Sequence, residues 1–586
     1  SPLSTILFTI AFNEISYILS AFPRINHQIY ADDLVLFSKT SDLTLVMASL
    51  TQILALLFNW SKSSGTTISP TKSKLLHICK KHHCNTPTLN FNNLNLACTD
   101  SFKFLGLILD SKYSFKPHCQ YIRKKLFVNL NIIKYLSSKR SLIGPALLVN
   151  LTKSIISSII NYGLEIYGHH SKNHIKMLVA PYHSAVRRSI RAFPTSPLKN
   201  ILSESGLPSL KDSVEDCLCK LYPKLIMGTN IVLKQDFLSA LSKKRSPKVP
   251  SSIYKCALFA KDNALPKKIH FPWRIKHPPW RVKESSFLID LVELQKTNTP
   301  SCVYNARFLE ITTPFKSAGW KLLFTDGSKA SYTSFAAVRE DKKPISHGLL
   351  FPFCSIFTAE ATAILKAAEY SQLNKGKYII CTDRLSCFMA VKTPINDNYI
   401  ISGIRDKLIS LPNKLKLMWI PSHTGISGNT AADATAKEMI LTPTITSPYF
   451  TRSDIYRLIK HKRSTLLSLD WVNYNHHYSR INPSRVKPDF PSTISTNLIT
   501  PYIRLRIGHC IITNSHLLSG SRLKQCPFCD CIVSIHHLLI TCPALENSRT
   551  NHFNNEDPVQ LLRIPSAANI SKIYNFLKES DLLRRI

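Results

Sequence analysis

Residues 27–36 read HQIYADDLVL and place two adjacent carboxylates between two apolar runs. Asp32 and Asp33 fall where a hairpin between these runs would turn. Two carboxylates at such a tip could bind metal ions that hold the end of a polynucleotide. Ala-Asp-Asp is also ordinary turn chemistry, so a solvated turn is the alternative that this stretch leaves open.

Four further acids lie at the ends of predicted strands and helices in the second half of the chain. The sequence predicts that Asp326 closes a strand in FTDGS, that Asp383 ends a strand in IICTD, that Glu360 lies in the first turn of the helix TAEATAIL, and that Asp433 opens the helix AADATAKEM. Carboxylates in such places can converge on one patch, and their mutual repulsion calls for cations. Two Mg²⁺ ions about 3.5–4 Å apart would neutralise the patch and support phosphodiester hydrolysis. Taken singly, Asp433 could be a first-turn helix charge and Asp326 the start of an Asp-Gly turn.

A third group of chemically active residues lies near the end of the chain, in QCPFCDCIVSIHHLLITCP. Its C-x2-C-x7-H-x4-C spacing is given by Cys526, Cys529, His537 and Cys542. Three thiolates and one imidazole complete a tetrahedral Zn²⁺ site. Cys531 and His536 are near enough to compete as ligands, and a helix with buried cysteines is the alternative to a metal site.

The elements that must position these residues change in type along the chain. Residues 1–115 contain short β-like runs separated by turns, namely IYADDLVLFS, TTISPTKSKLLHI and FKFLGLILD. From Pro117 to about residue 205, apolar residues at three- and four-residue spacing predict amphipathic helices. Residues 206–315 are rich in Pro and Lys and predict a connector with partial helix. From Trp320 onward, strands come first and then alternate with helices, which predicts a mixed sheet with helices packed on it.

The composition indicates a large, folded and basic protein. A chain of 586 residues is too long for one core and suggests about three or four domains. The formal net charge of +39 and the pI near 9.7 favour a polyanionic partner, with nucleic acid first and an anionic membrane surface second. The basic run HSAVRRSIRAF at 183–193 suits a phosphate backbone, although a solvated face is the alternative.

The sequence predicts no membrane span and an intracellular location. The opening run SPLSTILFTIAFNEISYILSAF is broken by polar residues and Glu14, and it lacks a basic n-region and a cleavage site. The chain also has no initiator Met, which suggests a piece of a longer reading frame. Sixteen cysteines without a secretory signal indicate reduced thiols in the cytosol or nucleus.

Four stretches between residues 325 and 437 occur in the order TDGS, TAEATAIL, CTDRLSC and WIPSHTGISGNTAADATAK. Together they resemble ribonuclease H of the type-1 family, which cleaves the RNA of RNA–DNA hybrids with two Mg²⁺ or Mn²⁺ ions. The resemblance implies that the metal ligands are Asp326, Glu360, Asp383 and Asp433. It also implies that His423 is the mobile-loop histidine that assists product release. The chain departs from relatives in mobile elements at Arg384, where they carry Ser, and at Thr430, where they carry Glu. The charge of Arg384 beside Asp383 is expected to lower metal affinity.

The residues around YADD resemble the palm of reverse transcriptases from non-long-terminal-repeat retrotransposons of the jockey and I kind. The resemblance rests on SPLSTILFTIAFNEI, GTTISPTKSK and FKFLGLILD in that order. It implies a catalytic hairpin at Tyr30–Asp33, a motif lysine at Lys72 and a primer-grip turn at residues 104–106. Members of the family take a further aspartate from a strand tens of residues before the hairpin. Only 29 residues precede Tyr30, with Glu14 as their single acid, so the RNA-directed DNA polymerase site is expected to be incomplete.

These observations predict an α/β multidomain chain. The predicted segments are a truncated reverse-transcriptase palm (1–115), a helical thumb and connection (116–205), a connector (206–315), a ribonuclease H domain with a mixed sheet and flanking helices (316–445), a helical linker (446–520), a Cys/His zinc knuckle (521–545) and a tail (546–586). The knuckle resembles the one that closes these retrotransposon frames and is expected to contact nucleic acid. The expected activity is hydrolysis of the RNA strand of RNA–DNA hybrids. The alternative is an inactive relic that only binds nucleic acid.

Overall fold

The chain divides into two compact units, which are described separately. One unit comprises residues 1–214 and 476–586, and the other comprises residues 215–475. The computed structural model describes residues 2–39, 42–81, 84–91, 94–138, 141–228, 230–243, 251–262, 265, 277–294, 299–394, 398–441, 449–527, 529, 531–554 and 556–586.

The first unit begins with two helices and three two-stranded antiparallel hairpins. Its elements are α1 (Pro2–Ser20), β1 (Asn26–Tyr30), β2 (Asp33–Phe37), α2 (Leu43–Ser64), β3 (Thr88–Phe91), β4 (Leu94–Ala97), β5 (Ser101–Phe104) and β6 (Leu107–Asp110). The helices α1 and α2 bury Ile15, Leu19, Ile53 and Leu57 in a common core. The run TTISPTKSKLLHI, predicted to be β-like, forms no strand and makes only a bridge from Leu75 to Cys98.

The first two helices correct the expectation that no apolar run is long enough to span a bilayer. Leu3–Ser20 and Leu43–Ser64 have mean hydropathies of 1.4 and 1.6, so by length and composition alone each could cross a membrane. The expectation was wrong because the many apolar residues of α1 outweigh Glu14 and the polar side chains in the average. Core helices of soluble proteins pass the same test, so these two helices are weak evidence for a membrane.

The predicted helical stretch after residue 115 is helical in the structure. Its helices are α3 (Lys116–Leu136), α4 (Pro145–Thr152), α5 (Ser158–Asn161), α6 (Leu164–Tyr167), α7 (Lys172–Lys176), α8 (Val179–Ser189) and α9 (Leu198–Ser205), with a π-helical turn at Lys153–Ser157 between α4 and α5.

Two of the three arginines in the predicted phosphate-binding run at 183–193 have structural partners instead. Arg187 donates to the carbonyl of Ser196 at 3.2 Å, and Arg191 donates to the carbonyl of Ser141 at 2.8 Å. Burial lowers the pKa of both guanidinium groups. Arg188 is exposed and the other two arginines are half-buried, and phosphate binding by this run stays a prediction.

The second unit is built on a six-stranded mixed sheet in the order β10-β9-β8-β11-β12-β7. Strands β8, β11, β12 and β7 are parallel to one another, whereas β9 pairs antiparallel with both β8 and β10. Its elements are α10 (Leu210–Met227), α11 (Ile231–Ser242), α12 (Ser252–Asp262), β7 (Phe287–Leu288), α13 (Ser301–Ser317), β8 (Trp320–Lys329), β9 (Thr333–Arg339), β10 (Pro344–Leu350), α14 (Ile356–Leu373), β11 (Lys377–Thr382), α15 (Leu385–Lys392), α16 (Tyr399–Ser410), β12 (Leu415–Trp419), α17 (Ser427–Met439) and α18 (Arg452–Val472).

Alternate residues of the central strands pack on opposite faces of this sheet, as the period of a strand requires. On β8, Leu322 and Phe324 share a core with Tyr304 of α13, whereas Leu323 shares a second core with Ile364 of α14. The predicted fold class, an α/β chain whose mixed sheet carries flanking helices, is therefore confirmed.

The predicted connector at 206–315 contains more structure than its composition suggested. It supplies α10, α11, α12 and α13, and its short strand β7 pairs with β12 at the edge of the sheet. The sequence is rich in proline and lysine, but buried side chains such as Tyr222 and Tyr254 join the core beneath α14. The Pro/Lys-rich runs at 244–250 and 266–276 lie outside the described residues.

The chain then returns to the first unit. Its elements there are α19 (His477–Ile481), α20 (Thr496–Ile507), α21 (Ile511–Asn514), α22 (His516–Ser519), a π-helical turn (His537–Thr541), α23 (Glu546–Phe553), α24 (Pro558–Arg563) and α25 (Ala567–Glu579). A buried ion pair joins them to α9. Arg506 Nε and Nη2 donate to the two carboxylate oxygens of Glu204 at 2.8 and 3.1 Å, and Tyr478 Oη donates to Glu204 at 2.6 Å. Residues about 300 positions apart therefore share one core.

Candidate functional site

Three of the four predicted metal ligands in the second unit lie together. The carboxylates of Asp326, Glu360 and Asp383 have oxygens within 4.8 Å of one another. The fourth acid, Asp433, lies near enough that its charge raises the pKa values of Asp326 and Asp383. Asp326 and Glu360 are buried, with 7% and 3% of their surfaces exposed.

Most of these acids lie at other positions on their strands and helices than the sequence predicted. Asp326 lies inside β8, because β8 continues to pair with β9 as far as Lys329. Glu360 lies in the second turn of α14, since Ser355 caps the helix and it begins at Ile356. Asp433 lies in the second turn of α17, which begins at Ser427 rather than at the AAD sequence. Only Asp383 follows its strand directly, as predicted.

A glycine next to Asp326 allows Glu360 to approach. A Cβ on Gly327 would lie 2.8 Å from Ala359 Cβ and 2.9 Å from the backbone nitrogen of Glu360. Distances under 3 Å essentially never occur between such atoms, so the early turns of α14 can pack this closely on β8 only where the strand has no side chain. Gly327 therefore fixes the separation of the two buried carboxylates.

Helix α17 reaches the same site through a second close approach. A Cβ on Gly428 would lie 2.2 Å from the ring of Phe324 on β8. One residue later, Asn429 Nδ2 donates to Asp383 Oδ2 at 3.1 Å. Asn429 was not among the residues predicted from the sequence, although its position four residues before Asp433 on one helix is a signal for it.

Burial and mutual repulsion raise the pKa values of the clustered acids. The pKa of Asp326 rises to about 7, first through burial and then through the charge of Asp383. The pKa of Glu360 lies well above its usual value, first through burial and then through the charge of Asp326. Burial also raises the pKa of Asp383, although the hydrogen bond from Asn429 opposes that shift. The cluster therefore disfavours full ionisation unless a cation compensates for the charge.

The remaining ribonuclease-like residues lie around this cluster. His423 is exposed with a φ of +58°, in the loop between β12 and α17. Asn305 of α13 donates to the carbonyl of Thr424 at 2.8 Å and anchors this loop. Lys437 donates to Asp433 Oδ2 at 2.7 Å.

The two departures from the family pattern have different surroundings. Arg384 is exposed, and its positive charge lowers the pKa values of Glu360 and Asp383. Thr430 is exposed on α17, and its hydroxyl donates to the carbonyl of Ile426 at 3.3 Å. Of the two positions, Arg384 is therefore the one that acts electrostatically on the carboxylate cluster.

The YADD stretch forms the predicted hairpin. Tyr30 pairs with Asp33, and Ala31 in the turn has a φ of +51°, a conformation that two-residue hairpin turns use. Asp32 and Asp33 are exposed. Within the described ranges, neither aspartate belongs to a group of three acids, histidines or cysteines that could hold a metal ion. Glu14 accepts a hydrogen bond from Trp60 Nε1 at 3.0 Å.

The other predicted polymerase residues lie in turns. Lys72 is exposed in a turn between α2 and β3. Leu105 and Gly106 form the turn between β5 and β6, with φ values of +44° and +81°. Tyr162 holds this turn, because its Oη donates to the carbonyl of Leu105 at 2.7 Å and its ring lies 2.8 Å from the position of a Cβ on Gly106.

The C-terminal cysteines form a compact cluster. The Sγ atom of Cys542 lies 3.9 Å from that of Cys526 and 3.9 Å from that of Cys529, and Cys529 Sγ lies 3.2 Å from His537 Nε2. His537 Nδ1 contacts Thr541 Oγ1 at 3.2 Å, which leaves Nε2 directed at the thiols. Neither Cys531 nor His536, the competing residues, belongs to this group among the described residues.

A family profile described as "Reverse transcriptase (RNA-dependent DNA polymerase)" matches residues 1–109. Residues 1–109 are therefore similar to the reverse transcriptase family. The RNA-directed DNA polymerase from mobile element jockey of Drosophila melanogaster is 22% identical over 206 residues, which are 35% of this chain and 22% of that protein. The jockey polymerase of Drosophila funebris is 20% identical over 212 residues, with the same two shares. The predicted relationship to non-long-terminal-repeat retrotransposons is therefore confirmed, while the match spans only 22% of the length of these relatives.

Two solved structures also match parts of this chain. Ribonuclease H1 from the archaeon Halobacterium salinarum NRC-1 has a TM-score of 0.17 and 16% identity, and the match covers 21% of this chain and 98% of that one. The foamy viral protease-reverse transcriptase in complex with RNA/DNA hybrid has a TM-score of 0.19 and 14% identity, with 74% and 61% covered. TM-scores this low support no inference about activity.

Proposed function

We propose that the second unit is a metal-dependent ribonuclease that hydrolyses the RNA strand of RNA–DNA hybrids. The observation that carries this proposal is the convergence of Asp326, Glu360 and Asp383 within 4.8 Å, with Asp433 close enough to act on their charges. These are the acids to which the motif resemblance assigns metal binding. A cluster of acids with raised pKa values in such an arrangement is typical of a functional site.

The clustered carboxylates are suitable ligands for a divalent cation. Glu360 Oε2 is buried and has no hydrogen-bond partner among the described residues, which leaves a carboxylate oxygen available to a cation. Hard oxygen ligands suit Mg²⁺ or Mn²⁺, and several carboxylates can share two ions. Bound ions would supply a nucleophilic water and stabilise the leaving oxygen of the phosphodiester.

The protein side chains have separate roles in this proposal. Asp326, Glu360, Asp383 and Asp433 bind the ions. Asn429 orients Asp383 through its hydrogen bond. His423 lies on an exposed loop, and the motif resemblance assigns it assistance in product release.

The experiment uses the purified chain and a hybrid with a label in the RNA strand. We expect cleavage of that strand with Mg²⁺ or Mn²⁺, no cleavage with EDTA, and no cleavage of duplex DNA or of the same RNA as a single strand. Tight binding of the hybrid without cleavage in either metal would favour the alternative, a relic that only binds nucleic acid.

The proposed partner is nucleic acid, in keeping with the +39 net charge and with the reverse transcriptase family of residues 1–109. The YADD hairpin of that part would contribute Asp32 and Asp33 to a polymerase metal site. Binding of the hybrid should weaken steeply as salt rises, because each neutralised phosphate releases counterions. Affinity that stays constant between low and physiological salt would argue against nucleic-acid binding through the basic charge.

The C-terminal cluster is proposed to bind one Zn²⁺ ion through Cys526, Cys529, His537 and Cys542. A tetrahedral zinc ion places its sulfur ligands about 3.8 Å apart and a sulfur about 3.6 Å from a nitrogen. The separations of 3.9 Å between sulfurs and 3.2 Å between Cys529 Sγ and His537 Nε2 are close to these values. Metal removal should unfold this segment, since metal binding supplies folding energy in so small a hairpin.

A further inference from the structure

A second cluster of cysteine and histidine side chains lies in the reverse transcriptase part, between α2 and β3. His77, Cys79 and Cys84 each have a ligand atom within 4.8 Å of the other two. Cys84 Sγ lies 3.9 Å from His77 Nε2. The three residues follow an H-x-C-x4-C spacing that the sequence analysis did not single out.

The backbone around this cluster is fixed at several points. Leu75 bridges to Cys98 two residues before His77. The backbone nitrogen of Cys79 donates to the carbonyl of Ser111 at 2.9 Å, just after β6. Lys112 Nζ donates to the carbonyl of Lys81 at 2.8 Å. The ligand atoms therefore lie together on a segment that is attached to the end of the β5–β6 hairpin.

We propose that His77, Cys79 and Cys84 form a second Zn²⁺ site. Two thiolates and one imidazole are the soft and borderline ligands that zinc prefers, and three protein ligands leave a fourth tetrahedral position for water or another ligand. Cys84 Sγ lies 3.9 Å from Nε2 and 4.0 Å from Nδ1 of His77, near the roughly 3.6 Å of a tetrahedral zinc site, and rotation of the imidazole would direct one of the two nitrogens at the ion.

The chemical consequence is a local crosslink. Zinc bound here would link residues 77, 79 and 84 of the segment after the Lys72 turn, and the backbone hydrogen bond from Cys79 to Ser111 attaches that segment to the end of β6. Two thiolates would balance the charge of the ion. The proposal is independent of the C-terminal cluster and of the ribonuclease site.

The experiment counts zinc in the full chain, after dialysis against a weak chelator that removes loosely bound ions. We expect about two ions per chain in the parent protein, about one in Cys84→Ser, about one in Cys529→Ser and none in the double variant. Cys302→Ser is the matched control, because Cys302 is exposed and remote in sequence from both groups, and it should keep the parent count. The Cys529→Ser variant reports on the C-terminal cluster separately.

A spectroscopic measurement covers the case in which a variant loses structure. In the Cys529→Ser background, Co²⁺ should give a thiolate-to-cobalt absorption band, and this band should disappear when Cys79→Ser or Cys84→Ser is added. Equal zinc contents with and without Cys84→Ser in that background would overturn the proposal. A cobalt band that survives both serine substitutions would overturn it as well.

Discussion

The side-chain amide of Asn429 donates a hydrogen bond to Oδ2 of Asp383 across 3.1 Å. The donor lies on α17 and the acceptor follows β11, so the bond couples the helix that carries Asp433 to the end of a central strand. Asn429 is buried, with 7% of its surface exposed. We infer that Asn429 holds Asp383 in the orientation that a shared metal site requires.

Removing this amide should therefore lower activity without removing a metal ligand. Asn429→Ala is expected to reduce kcat for hybrid cleavage about tenfold to hundredfold, because a hydrogen bond to a charged group contributes about 1.5–3 kcal/mol. Thr430→Ala, one residue further along the same helix, is the control and should retain parent activity. Equal rates for the parent and Asn429→Ala would show that Asp383 needs no such support.

The close packing of α14 on β8 gives a second prediction. Gly327→Ala should lower both the thermal stability and the cleavage rate, because its Cβ would meet Ala359 and Glu360 at under 3 Å. Overpacking of this kind costs about 1–3 kcal/mol. Gly144→Ala is the comparison, since Gly144 has a φ of −69° and no atom within 4 Å of its Cβ position. Similar melting temperatures for the two variants would contradict the steric argument.

The raised pKa of Asp326 predicts how the stability of the metal-free protein depends on pH. Its pKa of about 7 in the folded protein exceeds the usual 3.8, so its stabilising contribution is complete below 3.8 and is lost as pH rises through 7. Asp326→Asn keeps a neutral side chain at all pH values. The variant should therefore melt several degrees above the parent at about pH 8 and much closer to it at about pH 4.

Magnesium should reverse this difference. At high pH the ion should raise the melting temperature of the parent more than that of Asp326→Asn, because only the parent has the complete set of carboxylates. Calorimetry at both pH values, with and without Mg²⁺, checks the prediction. A parent that is more stable than Asp326→Asn at high pH without metal would contradict the cause assigned to the pKa shift.

The ion pair between Glu204 and Arg506 predicts that the C-terminal region supports the first unit. Glu204→Ala should cost about 3–5 kcal/mol, because it leaves the buried guanidinium of Arg506 without its partner. Glu556→Ala, which removes an exposed partner of Lys572, should cost at most about 1 kcal/mol. Urea unfolding of the full chain measures both, and equal midpoints would argue against the buried pair.

The sequence predicted most strands of the sheet but missed the edge strand β7 and the last residues of β8. The strands that became β9, β10, β11 and β12 were recognised from their apolar runs, because each lies in a sheet with a buried face. The extension of β8 through Asp326 was missed, since Asp-Gly is typical of a turn and only the pairing with β9 continues the strand. The two-residue strand β7 carries too short a pattern to be recognised within a Pro/Lys-rich stretch.

The acids of the site were predictable because each lies within a short sequence motif. Residues that support them can lie far away in the sequence. Asp383 could be read from IICTD, but its partner Asn429 lies 46 positions away. Arg187 and Arg191 looked like a phosphate-binding run, yet the carbonyl groups that engage them depend on the packing of the loops after α3 and α8. Long-range partners such as Glu204 and Arg506 leave no local pattern.

The most direct test of the account compares two aspartates in hybrid cleavage. Asp383→Asn removes a central ligand of the proposed metal site, so the rate of RNA-strand hydrolysis should fall at least a few hundredfold, whereas His423→Ala should only slow turnover. Asp32→Asn, in the YADD hairpin of the reverse transcriptase part, should leave that rate unchanged. An Asp383→Asn protein that cleaves the hybrid as fast as the parent would contradict the ribonuclease assignment.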